Sequence, residues 1–274
     1  MVIGGSISRY YAGNFGQFLQ FGCHTLEVVN RGETGASASK MLKNFHAQVV
    51  GEAGVFTKRS PGHDWLLVQG GLNSVGAPQA TAWWLSRLFV AAHTEGIQVV
   101  ALSLSPWGDD ADPRFEAWRG LRLQRATQQV VDFVMGSLTP ATAFGARTAQ
   151  RPATPQVWLP GELAELPVDL WRSPLAVGAT AKLRDVAALQ ASLPTSPYRR
   201  SKEDQTALVA AAVAVPRQFL ASKYRDFDHT HPNTAGHRLM AALVCQRAPA
   251  AWACDCDQIR RAVWRRGAVA AGAP

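Results

Sequence analysis

Short apolar runs alternate with longer stretches of helical periodicity along this chain, and that rhythm most constrains its fold. The apolar runs show little polar alternation, which is typical of strands that helices cover on both faces. Strands are predicted over residues 2–5, 26–30, 65–70, 98–104 and 168–170. Helices are predicted over residues 10–21, 36–49, 79–94, 113–135, 203–214 and 234–245. The rhythm predicts a parallel sheet in an α/β fold.

Length and composition suit one such domain. The chain has 274 residues, of which 47% are hydrophobic and 18% charged. It contains no apolar run near the roughly 20 residues that a membrane span needs. The net charge of +8 allows a polyanionic partner, but the basic residues are mostly scattered and no nucleic-acid motif accompanies them. We therefore do not expect a nucleic-acid partner.

The chain divides into a main domain over residues 1–247 and a basic extension over 248–274. The end of the extension, after residue 266, is predicted to be disordered because it is small and unpatterned. Two irregular excursions, over 138–167 and 174–201, interrupt the periodicity. We expect them to pass over the strand ends, where such folds place their pockets.

The four cysteines leave the cellular compartment open. Cys254 and Cys256 are too close together for a CxxC motif. Their crowding allows a disulfide from Cys245 to either of them, and four free thiols are the alternative. Only three residues precede Gly4, fewer than a central strand usually has. We expect the gene to start upstream, and a secreted or periplasmic location would follow if a signal peptide lies there.

Ser6 follows the first predicted strand in the run Gly4-Gly5-Ser6. A serine there projects at the carboxyl edge of the sheet, where a following helix would offer free N–H groups and its positive dipole end. An oxyanion would be stabilised at such a place. The simpler interpretation is a serine that caps the helix.

A second candidate lies near the far end of the chain, in the run from Arg225 to Asn233. Two Asp-x-x-His pairs are possible there, Asp226 with His229 and Asp228 with His231. In such a turn the carboxylate can accept a hydrogen bond from imidazole Nδ1 and leave Nε2 as the base. Metal binding and a solvated turn that caps the next helix are the alternatives.

Two glycine-containing loops follow the second and third predicted strands, one around Gly35 and one around Asn73. Glycine allows backbone N–H groups to approach a ligand, and an asparagine amide can donate a further hydrogen bond. The first loop lacks the lysine of a phosphate-binding P-loop, so nucleotide binding is not expected.

The order of these four pieces resembles the blocks of the SGNH (GDSL-type) serine hydrolases. Ser6 matches the family's nucleophile, and His231 with Asp228 matches the base and its acid. Gly35 and Asn73 match the oxyanion-hole glycine and asparagine, and the proline after His231 favours it over His229. The resemblance spans residues 3 to about 243, although only four short blocks carry it.

The resemblance implies a three-layer α/β/α, flavodoxin-like fold and ester hydrolysis through a Ser6–His231–Asp228 triad. Ser6, Gly35 and Asn73 would form the oxyanion hole, with no metal or organic cofactor required. The implied substrates are small-molecule, lipid or glycan esters. Two positions depart from the family, which often has aspartate where this chain has Gly5 and Ser74. Acyl transfer by the same triad, a non-catalytic glycan-binding domain and a metal-dependent hydrolase are the alternatives.

Overall fold

Four parallel strands form the central sheet in the part of the chain that the structure describes. The computed structural model describes residues 1–51, 54, 64–109, 112, 115, 117–177, 206, 207, 209, 210, 214, 217–265 and 267–270. Within these residues the strand order is β1-β2-β3-β4. The strands are β1 (Val2–Gly4), β2 (Trp65–Gln69), β3 (Gln98–Leu102) and β4 (Leu166–Val168). Each neighbouring pair is parallel, so the predicted parallel sheet is confirmed.

Helices cover both faces of this sheet. They are α1 (Phe15–Gly22), α2 (Ala38–Gln48), α3 (Pro78–Thr94), α4 (Trp118–Val134), α5 (Pro140–Phe144), α6 (Thr234–Cys245) and α7 (Cys256–Arg261). Ile3 and Val68 pack with α2, α3 and α4 on one face. Val2 and Leu67 pack with α1 and α6 on the other. Successive strand residues therefore face opposite layers, which gives the predicted α/β/α sandwich.

None of the helices in the described part of the chain combines the length and hydrophobicity that crossing a bilayer requires.

The strand predicted over residues 26–30 is wrong. Asn30 forms a single parallel bridge with Val2, and Val2 exchanges hydrogen bonds of 2.8 Å with Val29 and Arg31. Because β1 has only three residues, it offers this segment almost no length to pair with. The last strand is also displaced, since β4 covers 166–168 rather than 168–170.

Helix α1 begins five residues later than predicted. The Asn14 side chain accepts from the Gln17 backbone N–H at 3.2 Å, and the Gln17 side chain accepts from the Asn14 N–H at 3.0 Å. This reciprocal capping box fixes the helix start. Gly13 adopts a φ of 89°, which favours glycine and ends the preceding turn.

The excursion predicted over 138–167 is more ordered than expected, because it holds α5 and a 3₁₀ turn over Gly145–Gln150. The second excursion falls largely outside the described residues, from 178 to 201. The helix predicted over 203–214 also lies mostly outside them.

The extension after residue 247 packs against α1 and α6. It forms two disulfides, Cys23–Cys254 and Cys245–Cys256. The second is one of the two pairings that crowding allowed, whereas the partner of Cys254 was not foreseen. Residues after 266 were predicted to be disordered, but β6 (Ala268–Ala270) pairs antiparallel with β5 (Val263–Arg265) across a turn at Gly267. Residues 271–274 lie outside the described part.

Candidate active site

Ser6 lies just beyond β1, at the carboxyl edge of the sheet. Gly4 pairs with Gln69 of β2, and a Cβ atom at Gly4 would lie 2.1 Å from both the Gln69 carbonyl oxygen and the Ser8 Oγ. Only glycine can therefore bring the chain this close to β2. The next residues turn sharply, with the Arg9 N–H donating to the Ser6 carbonyl at 3.1 Å.

The helix dipole expected at Ser6 is not there, which corrects the sequence interpretation. Residues 6–9 form a turn, and α1 starts only at Phe15. In the first turn of α1, the Gln17 N–H already donates to the side chain of the Asn14 cap. Any oxyanion stabilisation at Ser6 must therefore come from loop N–H groups and side chains.

Residues 225–232 form a short hairpin, here called the base hairpin. Arg225 and Pro232 form an antiparallel bridge, and the Asp226 N–H donates to the His231 carbonyl at 2.9 Å. Asn233 then caps α6 by accepting from the Gly236 N–H at 3.1 Å. Its side-chain amide also donates to the Arg225 carbonyl at 3.2 Å. The Pro-Asn pair thus fixes His231 at the point where the hairpin enters α6.

The base hairpin brings His231 to Ser6. The two residues are separated by 225 positions in the chain, and His231 Nε2 lies 2.6 Å from Ser6 Oγ. On its other side, His231 Nδ1 contacts the Asp228 carboxylate. The Asp228 Oδ1 also accepts from the backbone N–H groups of Thr230 and His231, both at 2.9 Å. Serine, imidazole and carboxylate are therefore connected in one line.

Hydrogen bonding keeps Asp228 ionised. Partial burial alone would raise the pKa of its carboxyl group. The N–H groups of His231 and Thr230, together with the His231 ring, outweigh that effect and hold the pKa below its ordinary value. An ionised carboxylate at Nδ1 orients the imidazole and stabilises its protonated form.

The alternative pair of Asp226 and His229 does not form. Asp226 accepts from the Tyr10 hydroxyl at 2.9 Å, whereas His229 Nδ1 lies 2.8 Å from Asp109 Oδ2. His229 also has a φ of 62°, a left-handed conformation that costs a residue with a Cβ roughly 1–2 kcal/mol. The two histidines of the hairpin thus turn to different carboxylates.

The two loops predicted to supply oxyanion donors lie beside Ser6. The Asn73 amide donates to the Ala36 carbonyl at 3.2 Å. A Cβ atom at Gly5 would lie 3.1 Å from Asn73 Nδ2, so this amide borders the residue before Ser6. Gly35 precedes Ala36 with a φ of 79°. The structure therefore gathers the Gly35, Asn73 and Ser6 loops at one edge of the sheet.

Tyr10 connects the turn at Ser6 to the base hairpin through Asp226 and to α6 through His237, and neither Tyr10 nor His237 was identified from the sequence. The Tyr10 ring stacks on the His237 ring with 4.6 Å between centroids. Burial, together with its hydrogen bond to Asp226, raises the pKa of Tyr10 to about 12. Complete burial, with His231 nearby, lowers the pKa of His237 to about 3. Both groups stay neutral at ordinary pH and support the site by packing.

Asp109 and Arg225 are the other contributors that sequence reasoning missed. Arg225 Nη1 lies 2.8 Å from Asp109 Oδ1, and the Gly108 N–H donates to the His229 carbonyl at 2.6 Å. The available signal was position, because Gly108 and Asp109 follow β3 at the edge of the sheet where Ser6 and Asn73 follow β1 and β2.

Comparison with known proteins finds solved structures that resemble the chain in part, and no matching sequences. No protein-family model and no curated protein sequence matches the chain. A GDSL-like lipase from Bacteroides thetaiotaomicron is 16% identical, with a TM-score of 0.49 over 89% of this chain and 84% of that one. A member of the lipolytic protein G-D-S-L family from Veillonella parvula is 16% identical, with a TM-score of 0.47 over 89% and 94%.

A catalytic mutant of an acetylxylan esterase from Geobacillus stearothermophilus is 14% identical, with a TM-score of 0.44 over 90% of this chain and 91% of that one. The geometry of the site, rather than these similarities, indicates what the protein can do.

Proposed function

We propose that this protein is a serine hydrolase of the SGNH type that cleaves carboxylic esters. The observation that carries the proposal is the line of contacts from Ser6 through His231 to Asp228. A base within hydrogen-bond reach of a serine hydroxyl, itself oriented by a carboxylate, is the arrangement that activates a serine nucleophile.

The first half of the reaction acylates the enzyme. His231 Nε2 takes the proton of Ser6 while Oγ bonds to the ester carbonyl carbon. The resulting oxyanion accepts hydrogen bonds from the Ser6 and Gly35 N–H groups and the Asn73 amide. Collapse of this intermediate breaks the bond to the alcohol, which leaves with the proton from His231.

The second half releases the acid. His231 takes a proton from water, whose oxygen bonds to the acyl carbon. Collapse then breaks the bond to Ser6 Oγ, which recovers its proton from His231. Asp228 remains ionised throughout and holds the imidazole in place. The chain's own residues supply each proton transfer in this scheme.

Exposed aromatic side chains near the site bear on the substrate. Tyr11 and Phe227 are 81% and 84% exposed. Tyr11 follows the turn of residues 6–9, and Phe227 immediately precedes Asp228. Because such rings can contact either an acyl chain or a sugar face, both kinds of ester belong in the test.

The test is a panel of p-nitrophenyl esters from acetate to palmitate, together with acetylated sugars, assayed with wild type and Ser6→Ala. We expect turnover by wild type alone. A fluorophosphonate probe should label wild type at Ser6, as located by mass spectrometry of peptides. The proposal fails if wild type neither turns over any ester nor becomes labelled at Ser6. Transfer to an added alcohol that exceeds hydrolysis would assign the same triad to acyl transfer.

A further inference from the structure

We propose that Asp109 is a positioning residue for the base hairpin and thereby for His231. Asp109 is only 7% exposed and lies beyond β3, outside the hairpin. Its two carboxylate oxygens approach two different points of the hairpin, Oδ1 at Arg225 and Oδ2 at His229, both at 2.8 Å. This inference rests on the proposed function, since it concerns how the triad is held together.

The contact between Arg225 and Asp109 fixes the open end of the base hairpin, where Arg225 pairs with Pro232. The Arg225 side chain is 14% exposed and the Asp109 side chain 10%, so little solvent screens this pair. Arg225 is also the residue that pairs with Pro232, and Pro232 directly follows His231. A displacement of Arg225 would therefore displace the backbone that carries the imidazole.

The contacts of His229 hold the turn at the tip of the base hairpin. Its carbonyl accepts from the Gly108 N–H at 2.6 Å, and its ring lies against Asp109 without an aligned hydrogen bond. His229 adopts its left-handed conformation between Asp228 and His231. Residues 108 and 109 thus hold the turn that aims both triad members of the hairpin, in a conformation that the backbone alone does not favour.

A purely structural role gives a different expectation from a positioning role. If Asp109 only stabilised the fold, its loss would lower stability and leave the reaction of the folded protein unchanged. If it positions His231, its loss lowers kcat and the rate at which Ser6 is labelled, because small displacements of a reacting group cost large factors in rate. KM should change little, since the buried Asp109 carboxylate faces Arg225 and His229.

The experiment compares Asp109→Asn with Glu162→Gln as the matched control. Glu162 pairs with Arg151 in an even more buried pair, with side chains 4% and 1% exposed, far from the base hairpin in the chain. Each folded protein is assayed for kcat and KM on the best ester and for the fluorophosphonate labelling rate at Ser6. For Asp109→Asn we expect kcat and the labelling rate to fall roughly 10- to 100-fold, with KM within about threefold. For Glu162→Gln we expect both rates to stay at the wild-type value.

Wild-type kcat and labelling in folded Asp109→Asn would overturn the inference and leave the proposed function intact. A wild type that neither turns over any ester nor becomes labelled at Ser6 would instead contradict the proposed function. Should Asp109→Asn not fold, Arg225→Lys replaces it, because it keeps the charge and loses the reach of the guanidinium. Wild-type rates in folded Arg225→Lys would likewise overturn the inference.

Discussion

The base hairpin and the segment from 138 to 165 both lie between the main strands and helices, and each contains a buried arginine–carboxylate pair, yet they use that pair differently. Arg225 reaches a carboxylate that follows a distant strand. Arg151 reaches Glu162 only 11 residues along the chain, at 2.8 and 2.6 Å. Its guanidinium also donates to the carbonyls of Thr154 and Val157.

The difference distinguishes a pair that positions two segments relative to each other from a pair that stabilises a single segment. A pair that joins two distant segments fixes their relative placement, which the proposed triad requires because its residues come from both ends of the chain. A pair within one segment closes that segment on itself. Irregular backbone at the edge of a sheet is therefore not evidence of a catalytic role, and the partner of its buried charge is more informative.

The largest effect should come from the reacting residues. Ser6→Ala and His231→Ala should each lower kcat/KM by roughly 10⁴ or more, because base and nucleophile act as a unit. Asp228→Asn should cost less than either, since the imidazole remains. The measurement is kcat/KM on the best ester, with circular dichroism to show that each variant is folded. A Ser6→Ala preparation with wild-type turnover would remove Ser6 as nucleophile.

Glu162→Gln should have the largest effect on stability. It leaves the Arg151 charge buried without its counter-ion, which should lower the free energy of unfolding by about 3–5 kcal/mol. Urea unfolding measures this loss. The matched control is Asp257→Asn, because the Arg260–Asp257 pair is exposed, at 47% and 71%, and should cost under about 1 kcal/mol. Equal losses of unfolding free energy in Glu162→Gln and Asp257→Asn would contradict the distinction between a buried and an exposed ion pair.

His229→Ala should lower kcat/KM far less than His231→Ala does, by at most about tenfold. The reason is that His229 contacts Asp109 and not Ser6. EDTA should leave wild-type activity unchanged. If His229→Ala were as inactive as His231→Ala, and zinc restored activity that EDTA had abolished, a metal site would replace the triad.

The smallest effect should be a pH-dependent change in the free energy of unfolding. It comes from the contact between His93 and Glu165, the last residue of the 138–165 segment. His93 Nε2 lies 2.7 Å from Glu165 Oε1, and its Nδ1 lies 2.9 Å from the Gly161 carbonyl. The hydrogen bond with Glu165 raises the pKa of His93 above 6.5. Burial would raise the pKa of Glu165, but hydrogen bonds from His93 and the Val99 N–H hold it below 4.5.

The sign follows from these two directions. The histidine's contribution is complete below pH 6.5 and is lost as the pH rises through its raised pKa. The carboxylate's contribution is complete above pH 4.5 and is lost as the pH falls through its lowered pKa. The difference in unfolding free energy between wild type and Glu165→Gln should therefore be greatest between pH 4.5 and 6.5, and below about 1 kcal/mol because the pair is partly exposed. A difference that does not vary from pH 5.5 to 9 would contradict this assignment.

The sequence predicted what depends on local spacing. The Asp228–His231 contact spans three residues, and its parts could be identified from the motif. The partner of Arg225 could not, because neither spacing nor composition shows which distant carboxylate meets a given arginine. The cysteines show the same limit. Cys245 and Cys256 are 11 residues apart, and their crowding allowed this pairing as one of two, whereas Cys23 and Cys254 are 231 apart and their pairing was not predicted.

The parts of the fold that were wrong depend on pairing and capping. Residues 26–30 have the composition of a strand, but β1 is too short to extend them into one. The start of α1 was placed too early because the apolar pattern continued through Gly13, where the positive φ and the following Asn14 cap interrupt the helix.

The disulfide between Cys23 and Cys254 has a consequence for a chain cut by a protease. A single cut between residues 24 and 227 leaves Ser6 on one fragment and both Asp228 and His231 on the other, with the disulfide still joining them. The two fragments cannot diffuse apart, so their reassembly after unfolding stays independent of protein concentration. Electrophoresis of such a nicked protein would show one species without reductant and two with it. The bond thus keeps Ser6 and His231 in one covalent molecule even when the backbone between them is broken.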